Sequence, residues 1–258
     1  MPRPDADPVR FRRFLPAEGT VTAAEAVRDV VPDGAGAEDR PYVVLNMVAT
    51  ADGRAAVSGQ TSQIGNRADR ELFHQLRTRT DAVMAGAGTV RAERYRRLVR
   101  DPELRAQRER DGLRPDPLAV IVSGRLDLPS EDVPLLGEPE QTVAILTSSE
   151  RVVEGALASI DYLRSAGETL DFASLLSELG ERHGIRSILC EGGPTLNGAL
   201  LAEGLVDELF LSLAPKIAGG PDPLTIVEGS ELPDPADMEL TWLLESGGHL
   251  FLRYRLRP

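Results

Sequence analysis

Residues 42–49 form a continuous apolar run with the length and β-branching of a strand buried on both faces. It stops at Thr50-Ala51-Asp52-Gly53-Arg54, where Asp-Gly marks a turn. A helical period then takes over: Asn66 stands as cap, Leu72, Phe73 and Leu76 share a face, and Arg77 and Arg79 suit the carboxyl end. Strand returns at 81–90, running into Gly86-Ala87-Gly88-Thr89, and again at 118–123, 142–146 and 160–163, with 151–158 predicted helical. Asp171 caps a helix whose Phe172, Leu175, Leu176 and Leu179 line up, and Gly184 ends it. Strand 187–190 then enters Glu191-Gly192-Gly193-Pro194. Pro194 suits the first position of the next helix, Thr195 or Asn197 suits the free amides of its first turn, and Gly204 closes it. Strand 208–214 leads to the glycine-rich loop 215–221, and 240–256 reads as a hairpin about Ser246-Gly247-Gly248, with His249 exposed beside the turn.

Strands alternating with helices predict an α/β fold with a mainly parallel central sheet, finished by a C-terminal antiparallel hairpin. Residues 1–39 read as an N-terminal arm and linker, with a small helix near 23–30 led by Thr22 and a linker at Pro32-Asp33-Gly34-Ala35-Gly36; residues 40–258 read as the main domain. Three glycine-bearing loops, 86–88, 192–193 and 219–220, follow three separate strands. At one edge of one sheet they form a long groove suited to an extended phosphorylated ligand such as a dinucleotide. Glu191 and Asp52 stand at strand carboxyl ends; spacing alone fits an ordinary turn residue at either position as well as a catalytic one.

Composition narrows the classes. With 258 residues and 41% of them hydrophobic, the chain has material for a sizeable core. A net charge of −12 argues against nucleic acid or an anionic membrane as partner, and no apolar run approaches a membrane span, which places the expectation in the cytoplasm. Cys190, the one cysteine, falls inside a strand as a small hydrophobe, and His74, His183 and His249 have no metal-ligand spacing, so no protein-held metal is expected. Residues 91–114 break the acidic trend, with nine arginines against five acids. Ion pairs on a helix account for 102–110, whereas Arg94, Arg97 and Arg100 precede Pro102 and either belong to a solvated face or offer guanidinium groups to phosphate. Lys216 is the only lysine, a bias that reads as genome composition.

Three motifs in this order, Leu45-Asn46-Met47-Val48-Ala49-Thr50-Ala51-Asp52-Gly53-Arg54, Asp81-Ala82-Val83-Met84-Ala85-Gly86-Ala87-Gly88-Thr89 and Glu191-Gly192-Gly193-Pro194-Thr195-Leu196-Asn197-Gly198, resemble the pyrimidine reductase family of riboflavin biosynthesis, the RibD C-terminal domain. The resemblance runs from about Arg40 to the C-terminus. It implies a dihydrofolate-reductase-like, three-layer α/β/α fold, NADPH as hydride donor, a homodimer, and reduction of the ribosyl group of a 5-amino-6-(5-phosphoribosylamino)pyrimidine. By the same resemblance, Ala49, Gln63, Gly86, Gly88, Thr89, Glu93, Gly192, Gly193, Pro194, Thr195, Leu196 and Asn197 line the cofactor. Asn46, Thr61, Ser62, Arg77, Arg97, Arg100 and Glu191 meet the phosphorylated pyrimidine, and Asp52 and Glu191 are the catalytic candidates, Asp52 for orientation or proton handling. Asn46 stands where bifunctional members often place a lysine, Tyr95 stands at a usual proline, and with one cysteine no counterpart of those members' zinc deaminase is expected. A dihydropterin-type reductase and a non-catalytic NADP(H)-binding module are the competing readings.

Overall fold

The computed structural model describes residues 8–32, 34–35, 40–167, 169–221 and 224–257; the chain start and Asp33 and Gly36 of the expected linker lie outside them. In chain order the elements are β1 (Phe11–Leu15), β2 (Gly19–Val21), α1 (Ala23–Ala26), β3 (Tyr42–Thr50), α2 (Arg67–Leu76), β4 (Ala82–Gly86), α3 (Ala87–Ala92), α4 (Pro102–Arg110), β5 (Leu118–Val122), β6 (Thr142–Thr147), β7 (Ser159–Arg164), α5 (Phe172–His183), β8 (Ser187–Cys190), α6 (Pro194–Ala202), β9 (Glu208–Ala214), β10 (Met238–Ser246) and β11 (His249–Leu256). The strands form one sheet in the order β2-β1-β10-β11-β9-β3-β8-β4-β5-β6-β7. From β9 to β7 every pairing is parallel, and from β2 to β9 every pairing is antiparallel. β3 therefore sits inside the parallel half, buried on both sides, which is why its sequence is continuously apolar.

Alternate β3 residues feed two cores. Val44 joins Val83, Leu189 and Phe210 under Leu72 and Leu76 of α2 and Val90 of α3. Val43 and Leu45 join Met84 and Ile188 under Leu175, Leu176 and Leu179 of α5 and Leu200 of α6. The result is the expected three layers. The caps are as local chemistry dictates: Asn66 accepts from Asp69 N, Asp171 from Ser174 N, and Gly184 takes the left-handed conformation that ends α5.

Three expectations change. Residues 151–158 are not helical: Val153 N donates to the Tyr162 hydroxyl, Leu157 N and Ala158 N both donate to Leu136 O, and Gly155 has φ +70°. Within the stretch read as an arm, β1 and β2 extend the sheet beyond β10, and Phe11 is fully buried against Phe251; the Thr22-capped helix is the single turn α1. His249 is 4% exposed rather than open to solvent.

Helix α6 packs backbone to backbone on its neighbour. A Cβ on Gly198 would stand 2.0 Å from Glu228 O, and Glu228 N donates to Pro194 O at 3.0 Å. Gly198→Ala is expected to cost about 1–3 kcal/mol by overpacking, read as a Tm lowered by about 2–12 °C. An unchanged Tm would show that residues 226–228 yield freely.

Candidate active site

Parallel pairing brings the carboxyl ends of β3, β4, β8 and β9 to one edge. Leu45 and Met84 both pair with Cys190, and Thr50 pairs with Ala214, so all four strands leave toward the same edge, with β3 running five residues beyond the level at which β8 ends. The β4 and β8 junctions touch directly: Gly86 N donates to Gly192 O at 2.7 Å and Glu191 N to Met84 O at 2.8 Å. Gly192 has φ +85° and is joined to Gly193 by a cis peptide bond. A Cβ on Gly193 would lie 3.0 Å from Thr89 Oγ1, one on Gly86 would lie 3.6 Å from Gly193 N, and one on Gly88 would meet nothing within 4 Å. Bare backbone thus surrounds the start of α6, whose cap residue Gly193 brings no side-chain hydrogen bond.

Two expected cofactor residues turn inward instead. Asn197 is fully buried, its Nδ2 donating to Ile226 O at 2.8 Å and Met47 Sδ at 3.2 Å, so neither it nor exposed Thr195 caps the first turn of α6. Leu196 is 7% exposed and belongs to the core. Cys190, beneath them, has its thiol pushed up to about 12 by burial, which keeps it protonated and inert. The 86–89 stretch departs from the expected loop as well: β4 passes directly into α3 at Ala87.

Glu191 is a buried, fully engaged carboxylate. Arg77 donates to it through Nε and Nη2, both at 2.7 Å, and its third contact runs from Nη1 to Leu98 O at 2.8 Å. The Tyr95 hydroxyl donates to Glu191 Oε2. Burial first, then the neighbouring Glu191 charge, raises the Tyr95 phenol well above its ordinary value, so it remains a donor. Arg77 also stacks on Phe73, with 4.2 Å from its guanidinium carbon to the ring centroid. No local pattern marks Tyr95 as a site residue, because its partner lies 96 positions away.

The remaining candidates divide. Thr61 N and Oγ1 donate to Glu93 Oε1 at 2.9 and 3.0 Å, bringing together two residues assigned to different ligands. Ala49 is buried and Asn46 half-buried on β3, and Thr61, Ser62 and Gln63 are exposed. Arg100 is exposed and makes no ion pair with the described residues. Arg97 departs from the phosphate-contact expectation: it grips Asp116 at 2.6 Å and Glu140 at 3.1 Å, residues that precede β5 and β6 at the opposite edge of the sheet.

Asp52 accepts from Thr50 Oγ1 at 2.5 Å, Gly219 N at 2.7 Å and Ala218 N at 3.2 Å. The Thr50 hydroxyl and then these amides lower its carboxyl to about 2. It orients the 215–221 loop as an anion and has no proton to give near neutrality. Its contribution to holding that loop is present above the unfolded carboxyl range and is lost only as pH falls through about 2. Asp52→Asn is therefore expected to leave the shape of the activity–pH profile unchanged at every pH above about 4. Disappearance of a titrating limb there would reinstate proton transfer.

Among the described residues no group of His, Cys, Asp and Glu is placed to hold a metal, and no helix is long and apolar enough to cross a membrane.

The RibD C-terminal domain family matches residues 41–250. A 2,5-diamino-6-ribosylamino-4(3H)-pyrimidinone 5′-phosphate reductase of Archaeoglobus fulgidus is 35% identical over 193 residues, 74% of this chain and 87% of that one. The reductase of the same name from Methanothermobacter thermautotrophicus is 32% identical over 223 residues, 84% of this chain and 99% of that one. The crystal structure of a pyrimidine reductase-like protein from Corynebacterium diphtheriae superposes with a TM-score of 0.74 at 24% identity, covering 92% of this chain and all of that one. With the three layers and the glycine-lined edge in place, these matches settle the family: the chain belongs to the RibD C-terminal domain family and has its dihydrofolate-reductase-like fold.

Proposed function

We propose that this protein reduces the ribosyl group of a phosphorylated 2,5-diamino-6-ribosylaminopyrimidine to a ribityl group, with NADPH as hydride donor. The observation that carries the reading is the bare backbone where Gly86, Gly88 and Thr89 meet Gly192 and Gly193, beside a carboxylate fixed by Arg77. A side chain on Gly193 would fill that cradle, so its chemistry suits a dinucleotide, whose phosphates fit unpaired amides at a helix start. The diamino form of the pyrimidine is favoured because both reductases named above match along most of their length.

Opening of the ribosylamine moves a proton from nitrogen to the ring oxygen and leaves a C1′=N imine; hydride at C1′ and a proton on nitrogen complete the ribitylamine. Bound NADPH supplies the hydride. Hydride is accepted by the imine protonated on nitrogen, and the Glu191–Arg77 pair, held in place by Tyr95, sets a fixed dipole beside that C1′=N unit. Arg100 takes the phosphate as a charge-assisted donor, and Asn46, Thr61, Ser62 and Gln63 supply polar contacts along the edge. The chain's work is alignment and charge placement.

The test follows reduced nicotinamide by its ultraviolet absorbance with the aminated pyrimidine, the deaminated pyrimidine and dihydrofolate, using NADPH and NADH in turn. Oxidation of NADPH with the aminated pyrimidine is the expected result. Turnover only with dihydrofolate would move the protein to pterin chemistry, and binding of NADPH without turnover would make it a binding module.

The same reading places the protein in the cytoplasm as a homodimer. Half-buried Leu211 and Leu213 of β9 pair with Leu252 and Leu250 of β11, and Leu252 pairs with Leu243 of β10, giving an apolar sheet face of the kind a second copy covers.

A further inference from the structure

Thr61, Ser62 and Gln63 present exposed polar side chains from a stretch whose backbone is held on two sides. On one, Glu93 accepts from Thr61 N and Oγ1. On the other, Lys216 Nζ donates to the carbonyls of Gln63 at 2.5 Å and Ile64 at 3.0 Å. His249 Nε2 stands 3.2 Å from the same Ile64 oxygen. Its other ring nitrogen lies 2.9 Å from Asn66 Nδ2, and that amide's oxygen is already the cap acceptor for Asp69 N. The Asn66 NH₂ group therefore donates to Nδ1, which leaves the proton on Nε2 and makes it a second donor to Ile64 O.

Lys216 is anchored from below. Its N donates to Ala214 O, its carbonyl accepts from Ala51 N, both at 2.8 Å, and Asp52 binds the two amides that follow Ile217. The ammonium thus ties the 61–64 stretch to the carboxyl ends of β3 and β9. Among 29 basic residues this is the single lysine. An ammonium is a compact point charge with three tetrahedral donors, able to serve two successive carbonyls; a planar guanidinium on a longer stem places its donors elsewhere.

We propose that Lys216 is a positioning residue whose ammonium geometry sets Thr61, Ser62 and Gln63 in register with the end of β3, so that ligands meet a preformed polar edge. The inference rests on the reading of this edge as the cofactor and substrate site. Its consequence is that the one lysine is a requirement of the site, against the compositional reading of the sequence.

The test compares Lys216→Met and Lys216→Arg with the unaltered chain by amide hydrogen exchange over residues 61–66, Kd for NADPH, KM and kcat for the pyrimidine, and Tm. Lys216→Met is expected to speed exchange at Ile64 by about tenfold and to weaken NADPH or pyrimidine binding by about tenfold or more at temperatures well below Tm. Lys216→Arg is expected to keep most of that loss. Unchanged exchange and affinity in Lys216→Met, a lowered Tm with Kd and KM unmoved, or full rescue by arginine would each overturn the proposal. If the unaltered chain binds NADPH but turns over no pyrimidine, the proposed reaction fails while exchange and Kd still decide the role of Lys216. If it binds no NADPH and no pyrimidine, both fall together.

Discussion

Arg77→Ala is expected to destabilise the protein by about 3–5 kcal/mol, because it removes one partner of a desolvated ion pair and strands the other. The Arg77 and Glu191 side chains are 9% and 3% exposed, and the guanidinium meets the carboxylate through two hydrogen bonds of 2.7 Å. Exposed pairs such as Arg182 with Glu178, more than 40% exposed on both sides, are worth far less, since solvent screens them and the side chains lose entropy to hold the contact. Thermal unfolding followed by circular dichroism should show Tm lowered by about 6–20 °C. A loss below about 1 kcal/mol would mean that water reaches Glu191. The triple change Arg77→Met, Glu191→Leu, Tyr95→Phe separates fold from chemistry. It removes the charges and the Tyr95 donor together, so most of the stability should return, as it does when buried ion pairs give way to apolar packing. Activity should not return, because the fixed dipole at the carboxyl end of β8 is gone.

Much of this arrangement is written in the chain at short range. Caps such as Asn66 and Asp171 act on amides three residues away, and the period of the apolar positions in α2 and α5 is a property of the segment itself, so both helices are legible. The glycine turn after β8 is legible too, because Gly192 takes φ +85° where that turn meets the end of β4, a conformation that favours glycine. What escapes a reading of the sequence depends on distant partners. Residues 151–158 look helical until Leu136 and Tyr162 claim their backbone amides. β1 reads as an arm because its ladder partner β10 lies more than 220 residues away. Arg97 looks like a phosphate ligand until Asp116 and Glu140 neutralise it at the far edge of the sheet. His249 sits beside a Gly-Gly turn, normally an exposed place, yet the turn folds over Asn66 and Ile64 and buries it. In each case local propensity is overruled by a tertiary contact, and the site is assembled from such contacts more than the strands are.

The second large effect is expected from Gly193→Val, which should weaken NADPH binding by about a hundredfold while the fold survives. Gly193 has φ −69° and ψ 176°, an extended conformation open to any residue, so the substitution carries no backbone strain of the left-handed kind. The added Cβ meets one atom closely, Thr89 Oγ1 at 3.0 Å, and a hydroxyl at the end of a side chain can give by a few tenths of an ångström. The two methyl groups beyond it add volume beside Thr89 and Gly86, at the start of α6. That is where the pyrophosphate of a dinucleotide would approach the backbone, and a β-branched side chain puts apolar volume in front of the amides that would meet it. Equilibrium binding of NADPH by fluorescence, with Tm measured alongside, separates the outcomes. A Tm within a few degrees and a Kd raised about a hundredfold, roughly 2.7 kcal/mol at 25 °C, is the expected pair. An unaltered Kd would remove the Gly192–Gly193 turn from the cofactor site and shift the search toward the 219–220 loop. A collapse of Tm would be resolved by Gly193→Ala, whose single methyl tests the same space with less volume and should still cost about tenfold in affinity.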